Sequence, residues 1–178
     1  AVTDDADTAA ADTGADTTAA AAAASEAAAV EAFLAAKEGA ACQVGRIGDN
    51  WRTPLWVAAN DGHLETTRLL LVKSGKVNVD GEGNVNDGAT ALYQAADQGH
   101  LDVVRFLVEE GKADVDKART DNGATPLFIA SLNNKIEVVE YLLSKGADRT
   151  IETTNPSGYT ALSVAEALGH AAVVELLS

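Results

Sequence analysis

The chain has no methionine, one cysteine and three prolines among its 178 residues, and only 4% of it is aromatic. The lone Cys42 excludes an internal disulfide framework and a four-cysteine zinc site. With no histidine near it in sequence, it reads as a small filler and not as a nucleophile. Basic residues are also scarce: 13 Lys and Arg stand against 27 Asp and Glu, a net charge of −14. A phosphate backbone needs a basic stripe, and none is present, so nucleic acid is excluded as a partner. The field instead favours protein partners that are basic or mixed in charge. Long hydrophobic runs are missing too. The most apolar stretch, 19–36, is mostly alanine and is interrupted by Ser25, Glu26 and Glu31, so no transmembrane span is expected. With Ala1 first and no methionine, the sequence fits removal of an initiator or of a targeting segment, or a fragment. The cytoplasm is the default compartment, and a plastid, reached through a removed targeting segment, is the alternative.

What the chain does have is a sentence written four times: Thr53-Pro54-Leu55-Trp56, Thr90-Ala91-Leu92-Tyr93, Thr125-Pro126-Leu127-Phe128 and Thr160-Ala161-Leu162-Ser163, at spacings of 37, 35 and 35 residues. Nine residues after each threonine comes a second landmark: Gly62-His63-Leu64, Gly99-His100-Leu101, Asn134-Lys135-Ile136 and Gly169-His170-Ala171. An apolar stretch follows; Val103, Val104, Phe106 and Leu107 fall on one stripe of a helix. Gly75, Gly111 and Gly146 then stand where each helix is expected to stop in a left-handed residue. Each unit therefore predicts a short helix capped by Thr, a tight turn, a longer helix and a glycine stop. Polar stretches ending in Asp87-Gly88, Asn122-Gly123 and Ser157-Gly158 join the units and predict tight hairpin turns. A fixed period of this size marks a solenoid, which buries a continuous core between neighbouring units and leaves a long exposed surface.

The fold expected is all-α: a solenoid of helix-turn-helix units with short β-hairpin or finger loops, preceded by an extended low-complexity arm. Residues 1–24 are almost entirely Ala, Thr and Asp and cannot bury enough apolar surface to offset their ordering entropy, so disorder is the default. The domain 25–178 divides into a leading half-repeat, 25–48, and repeats at 49–84, 85–119, 120–154 and 155–178. The half-repeat rests on Val30, Phe33 and Leu34 before Gly39, in register with the later second helices, and would cap one end of the stack.

Catalytic and metal chemistry finds no support in the pattern. His63, His100 and His170 occupy the same slot a whole repeat apart, so each does structural work in its own copy. The stretch from Asp80 to Ala91 departs from a calcium loop at the sixth position, Val85, and the twelfth, Ala91. Glu109-Glu110 and similar pairs are solvated charge on a helix, without the cleft that would split their pKa values. No metal, no cofactor and no enzymatic activity are expected.

These motifs, in this order, resemble the ankyrin repeat family. The third unit carries the match most fully, from Asp121-Asn122-Gly123-Ala124-Thr125-Pro126-Leu127 to Gly146-Ala147-Asp148, and the resemblance runs from Asp49 to Ser178. The chain departs from the family in lacking the histidine of the T-P-L-H motif: Trp56, Tyr93, Phe128 and Ser163 stand there, so aromatic packing is expected to replace that histidine's hydrogen bonds. The period also exceeds the family's usual 33, and the surplus is expected in the loops.

The resemblance implies a non-catalytic protein-binding module whose partner lies on the finger tips and first helices of the concave face. Carried over slot by slot, that surface comprises Trp51, Arg52, Asn60, Asp61, Asp87, Asp97, Gln98, Asn122, Leu132, Asn133, Tyr159 and Leu168, and also the slots of Ala89 and Ala124. Trp51, Arg52, Leu132 and Tyr159 are the expected anchors, and Asp61, Asp87, Asp97 and Asp121 are expected to make the groove negative. The alternative is a fixed accessory subunit of a large assembly. The third unit's Asp-Asn-Gly-Ala-Thr-Pro-Leu-Phe phrase resembles algal ankyrin arrays, which suggests peripheral association with an organellar, photosynthetic membrane complex.

Overall fold

The computed structural model describes residues 46–47, 50–74, 77–81, 83–84, 86–155 and 158–178. All of them lie in Gly39–Ser178, the second of two units into which the chain divides. The arm 1–24, the core positions of the half-repeat 25–48, Cys42 and Gly75 lie outside the described residues.

Threonine opens every first helix, as its position predicts. Thr53, Thr90, Thr125 and Thr160 are extended, and each side-chain oxygen accepts a hydrogen bond from a first-turn amide, those of Trp56, Tyr93, Phe128 and Ser163, at 3.1 to 3.2 Å. At Thr160 the bond is returned, because Ser163 Oγ accepts from the Thr160 amide at 2.9 Å. The first helices are α1 (Pro54–Asn60), α3 (Ala91–Gln98), α5 (Pro126–Leu132) and α7 (Ala161–Leu168). The second helices are α2 (Leu64–Ser74), α4 (Leu101–Glu109), α6 (Ile136–Ser144) and α8 (Ala171–Leu177). Each first helix packs on its own second helix and on the first helices of neighbouring repeats. Alanine makes that close stacking possible: Ala59, Ala95, Ala96, Ala130 and Ala165 are fully buried between the first helices. Leu107, Val139 and Leu142 of the second helices are fully buried.

Between each pair of helices the chain turns through a left-handed residue. Gly62, Gly99 and Gly169 serve with φ of 74° to 86°, whereas the third repeat places Asn134 there at φ 55°. Asparagine tolerates this region at a cost that glycine avoids. Replacing Asn134 with glycine is expected to stabilise the domain by about 0.5–1 kcal/mol, read as a higher denaturant midpoint.

The stops of the second helices differ in part from expectation. Gly146 does take a left-handed conformation, at φ 87°. After α4, however, the positive φ falls on Lys112, at 58°, and not on Gly111. Gly111 meets another need, since a Cβ there would lie 2.6 Å from the Leu107 carbonyl oxygen. The absent side chain permits close approach of backbone to backbone.

Among the described residues, strand structure is confined to the fingers. β1 (Arg46–Ile47) pairs antiparallel with β2 (Asn50–Trp51), and Arg52 bridges to Asn84. Later fingers close on themselves: Asn84 and Gly83 amides reach Ala89 O, Arg119 N reaches Ala124 O, and Thr153 N reaches Tyr159 O. The last loop is one residue longer than the others. Successive fingers are tied by backbone bonds, among them Thr53 N to Gly83 O, Thr120 N to Asp87 O and Thr154 N to Asn122 O, at 2.7 to 3.2 Å. The helices hold only 7 to 11 residues, so the long period is spent in loops.

The missing T-P-L-H histidine is replaced by packing. Trp56 and Tyr93 are buried, and Tyr93 forms a cluster with Ala89 and Ala124 against Phe128 and Ile129. Ala89 and Ala124 are thus core residues and not surface slots. Both pack in the cluster around Tyr93, out of a partner's reach.

Candidate partner-binding surface

The C-terminal ends of the first helices carry a strip of polar side chains joined across three repeats. Asn60 Nδ2 donates to Asp61 Oδ1 at 2.6 Å, and Asn60 Oδ1 accepts from Gln94 Nε2 at 2.8 Å. Gln94 Nε2 also donates to Asp97 Oδ2 at 3.1 Å. Asp97 is the hub: it accepts from Gln98 Nε2 at 2.8 Å and, through its other oxygen, from Asn133 Nδ2 at 2.7 Å. Five expected surface residues, Asn60, Asp61, Asp97, Gln98 and Asn133, are thereby brought together. They are exposed or half-exposed and are held in one register.

Gln94 joins them and was missed in sequence. Its slot holds Val57, Ile129 and Val164 in the other repeats, so a lone polar residue in an apolar slot was the available signal.

Histidine positions this edge from below. His100 Nε2 donates to the carbonyl oxygen of Asn60 at 3.0 Å, and His170 Nε2 donates to that of Leu132 at 3.1 Å. Each ring ties the end of the preceding first helix to the turn of its own repeat. Both acceptors are carbonyls, so the proton resides on Nε2.

One repeat beyond Asp97 the same strip turns apolar. Leu132 occupies the Asp97 slot and is half-buried, and Leu168 occupies the Gln98 slot and is 53% exposed. Tyr159 on the last finger is 44% exposed.

The fingers behave differently from the helix ends. Arg119 holds Asp121 through both carboxylate oxygens at 3.0 and 2.7 Å and reaches Asp87 at 3.2 Å. Its guanidinium also lies over the Tyr93 ring, 5.3 Å from the centroid. Burial opposes the charge on Arg119, but the bonds to Tyr93 and Asp121 outweigh it and hold the pKa above its ordinary value. Burial pushes the Tyr93 hydroxyl above its usual range. Of the four aspartates expected to charge the groove, Asp87 and Asp121 share the single positive charge of Arg119, and Asp61 and Asp97 form no ion pair among the described residues.

Asp87 Oδ1 and Asn122 Oδ1 each accept from the amide two residues on, of Ala89 and Ala124, which shapes the finger turns. Arg52 is half-buried and stacks on Trp56 at 4.4 Å. Trp51 contributes its backbone to β2, and its side chain lies outside the described set. Asp80, in the stretch weighed as a calcium loop, accepts from the Asp114 amide through Oδ1 at 2.9 Å.

The order of finger, capped first helix, left-handed turn and second helix recurs four times among the described residues. The sequence profile of ankyrin repeats, built from three copies, matches residues 18–119 and 111–178. The chain belongs to the ankyrin repeat family. Ankyrin repeats are in general protein–protein interaction modules and are typically non-catalytic. No curated protein matches the chain. Among the described residues, no helix is long and apolar enough to cross a membrane.

Proposed function

We propose that this ankyrin domain is a non-catalytic docking module that grips a protein partner along the ends of its first helices and the adjoining fingers. The observation that carries the reading is the amide–carboxylate strip centred on Asp97. It spans three repeats, is ordered by its own hydrogen bonds before any partner arrives, and so spends little entropy on binding. Asp61 and Asp97 supply negative charge for lysine or arginine at one end of the strip. Leu132 and Leu168 supply apolar contact at the other, and Tyr159 adds an aromatic contact from the last finger, at the N-terminal end of α7. The partner fitted to this surface presents basic groups followed by an apolar residue.

Crosslinking mass spectrometry on native material tests the reading. Lys135 adjoins Asn133 at the helix-end edge, whereas Lys112 and Lys145 follow the second helices. Partner crosslinks concentrated on Lys135 support the proposal, and crosslinks confined to Lys112 and Lys145 overturn it. The variant Asn60→Ala/Asp97→Ala/Asn133→Ala is expected to weaken the captured partner's affinity by about tenfold or more with its fold retained by circular dichroism. Salt lability of the complex marks reversible docking, and fixed stoichiometry that survives high salt marks an accessory subunit.

A further inference from the structure

The second helices present a cleft that is separate from the surface described above and does not depend on it. Between α2 and α4 lies a space of about 550 Å³ lined by Leu64, Leu71, Val72 and Phe106, by Arg68, and by the three carboxylates of Asp102, Glu109 and Glu110. Val72 is 72% exposed.

The equivalent cleft one repeat on, between α4 and α6, shows what is different here. Both clefts share a stacked pair: Arg68 lies over Phe106 at 5.2 Å in the first, and Arg105 over Tyr141 at 5.1 Å in the second. In the second cleft a latch closes the gap. Glu109 on α4 holds Lys145 at 3.0 Å and accepts the Tyr141 hydroxyl at 3.1 Å. Lys145 and Tyr141 hold the Glu109 carboxyl below its ordinary range, and burial with the Glu109 bond pushes the Tyr141 hydroxyl up to about 12.

In the first cleft every part of that latch is changed. The Glu109 slot holds Val72, the Lys145 slot holds Glu110, and the Tyr141 slot holds Phe106, which has no hydroxyl. The cross-repeat ion pair is gone, an aliphatic side chain is left in solvent, and Glu110 has no ion pair among the described residues. Arg68 does not substitute, being stacked on Phe106 and lying 3.6 Å from Glu65.

We propose that the α2/α4 cleft docks a segment of a partner protein that carries large aliphatic side chains flanked by lysine or arginine. The aliphatic groups cover Val72, Leu71 and Phe106, and the flanking cations meet Glu110 at one end and Asp102 at the other. Charge selects this occupant: the chain's own residues 1–24 bear five aspartates and no basic residue, the wrong sign for an acid-edged cleft.

The probe is a blocked Gly/Ser peptide with a central Lys-Leu-Leu-Lys, titrated into the isotope-labelled full chain and followed by amide chemical shifts. Saturable shifts on α2 and α4 are expected, and the matched Lys-Ser-Ser-Lys and Glu-Leu-Leu-Glu peptides are expected to give none. The variant Val72→Glu/Glu110→Lys rebuilds the latch of the next repeat and is expected to weaken the peptide by about tenfold or more, with Glu110→Gln, an exposed change, giving a smaller loss in the same direction. The proposal is overturned by shifts that map to the first helices and fingers, by the absence of saturable shifts, by equal binding of a control peptide, or by unchanged affinity in both variants. Concentration-dependent self-association through the same residues, seen by sedimentation without peptide, also overturns it in favour of a second copy of the chain.

Discussion

Gly88→Val is expected to lower the stability of the domain by about 3 kcal/mol, the sum of a strained backbone and a steric conflict. Gly88 sits at φ 71°, a region that β-branched residues occupy only under strain. A Cβ at this position would lie 2.2 Å from Thr120 Oγ1 and 2.8 Å from its Cγ2. Rotating the Thr120 side chain does not relieve the conflict, because its Cβ would still lie 2.9 Å away, and its backbone is held by the amide bond to Asp87 O that ties this finger to the next. The substitution therefore damages both the turn and the link between repeats. Gly123→Val shares the φ penalty, at 72°, but its nearest contact is 3.1 Å, to Thr154 Cγ2. It is expected to cost less, about 2 kcal/mol. Urea denaturation of the two variants checks both the size and the order, and a midpoint unchanged in Gly88→Val would mean that the fingers contribute nothing to the stack.

Leu107→Ala is expected to cost about 3–4 kcal/mol and to split the unfolding transition. Leu107 is fully buried in α4, in a repeat with neighbours on both sides. In a solenoid each unit is held by its own packing and by the interfaces to the units beside it, so a cavity in an inner repeat weakens two interfaces together. Trp56 lies in α1, before the lesion. The fluorescence of Trp56 together with Trp51, the chain's other tryptophan, and the overall helical signal should report different midpoints in the variant and one common midpoint in the unaltered chain. A single shared transition with a loss under about 1 kcal/mol would show that the cleft between second helices collapses around the missing side chain.

The repeat architecture was legible because its signals are local and are written several times. Thr at the cap, glycine or asparagine at the turn and the apolar stripe of the second helix each act within a few residues, and four copies in register removed ambiguity. Gly111 shows where that logic weakens. A glycine after a helix reads as a left-handed stop, yet here Lys112 bears the positive φ and Gly111 makes room for the Leu107 carbonyl. Only the path of the backbone separates the two uses.

The surface was less legible, because its chemistry depends on partners some 35 residues away. Asp87 and Asp97 look equivalent in sequence, both polar and both in exposed slots. In the structure Asp87 is paired with Arg119 of the next finger, while Asp97 gathers three neutral amides. Ala89 and Ala124 occupy positions that vary in principle, yet both are buried under the following repeat. The vacant latch between α2 and α4 was invisible for the same reason: Val72 and Glu110 acquire meaning only beside Glu109 and Lys145.

By itself the sequence determined the family, the order of elements and the net negative charge, since caps, turns and periodicity are short-range and charge is additive. The tertiary structure decided which aspartates are paired with a cation, which small residues are core, and where one repeat fails to close on the next. Those properties arise from side chains of different repeats meeting across an interface, and such meetings are set by the stacking of the helices.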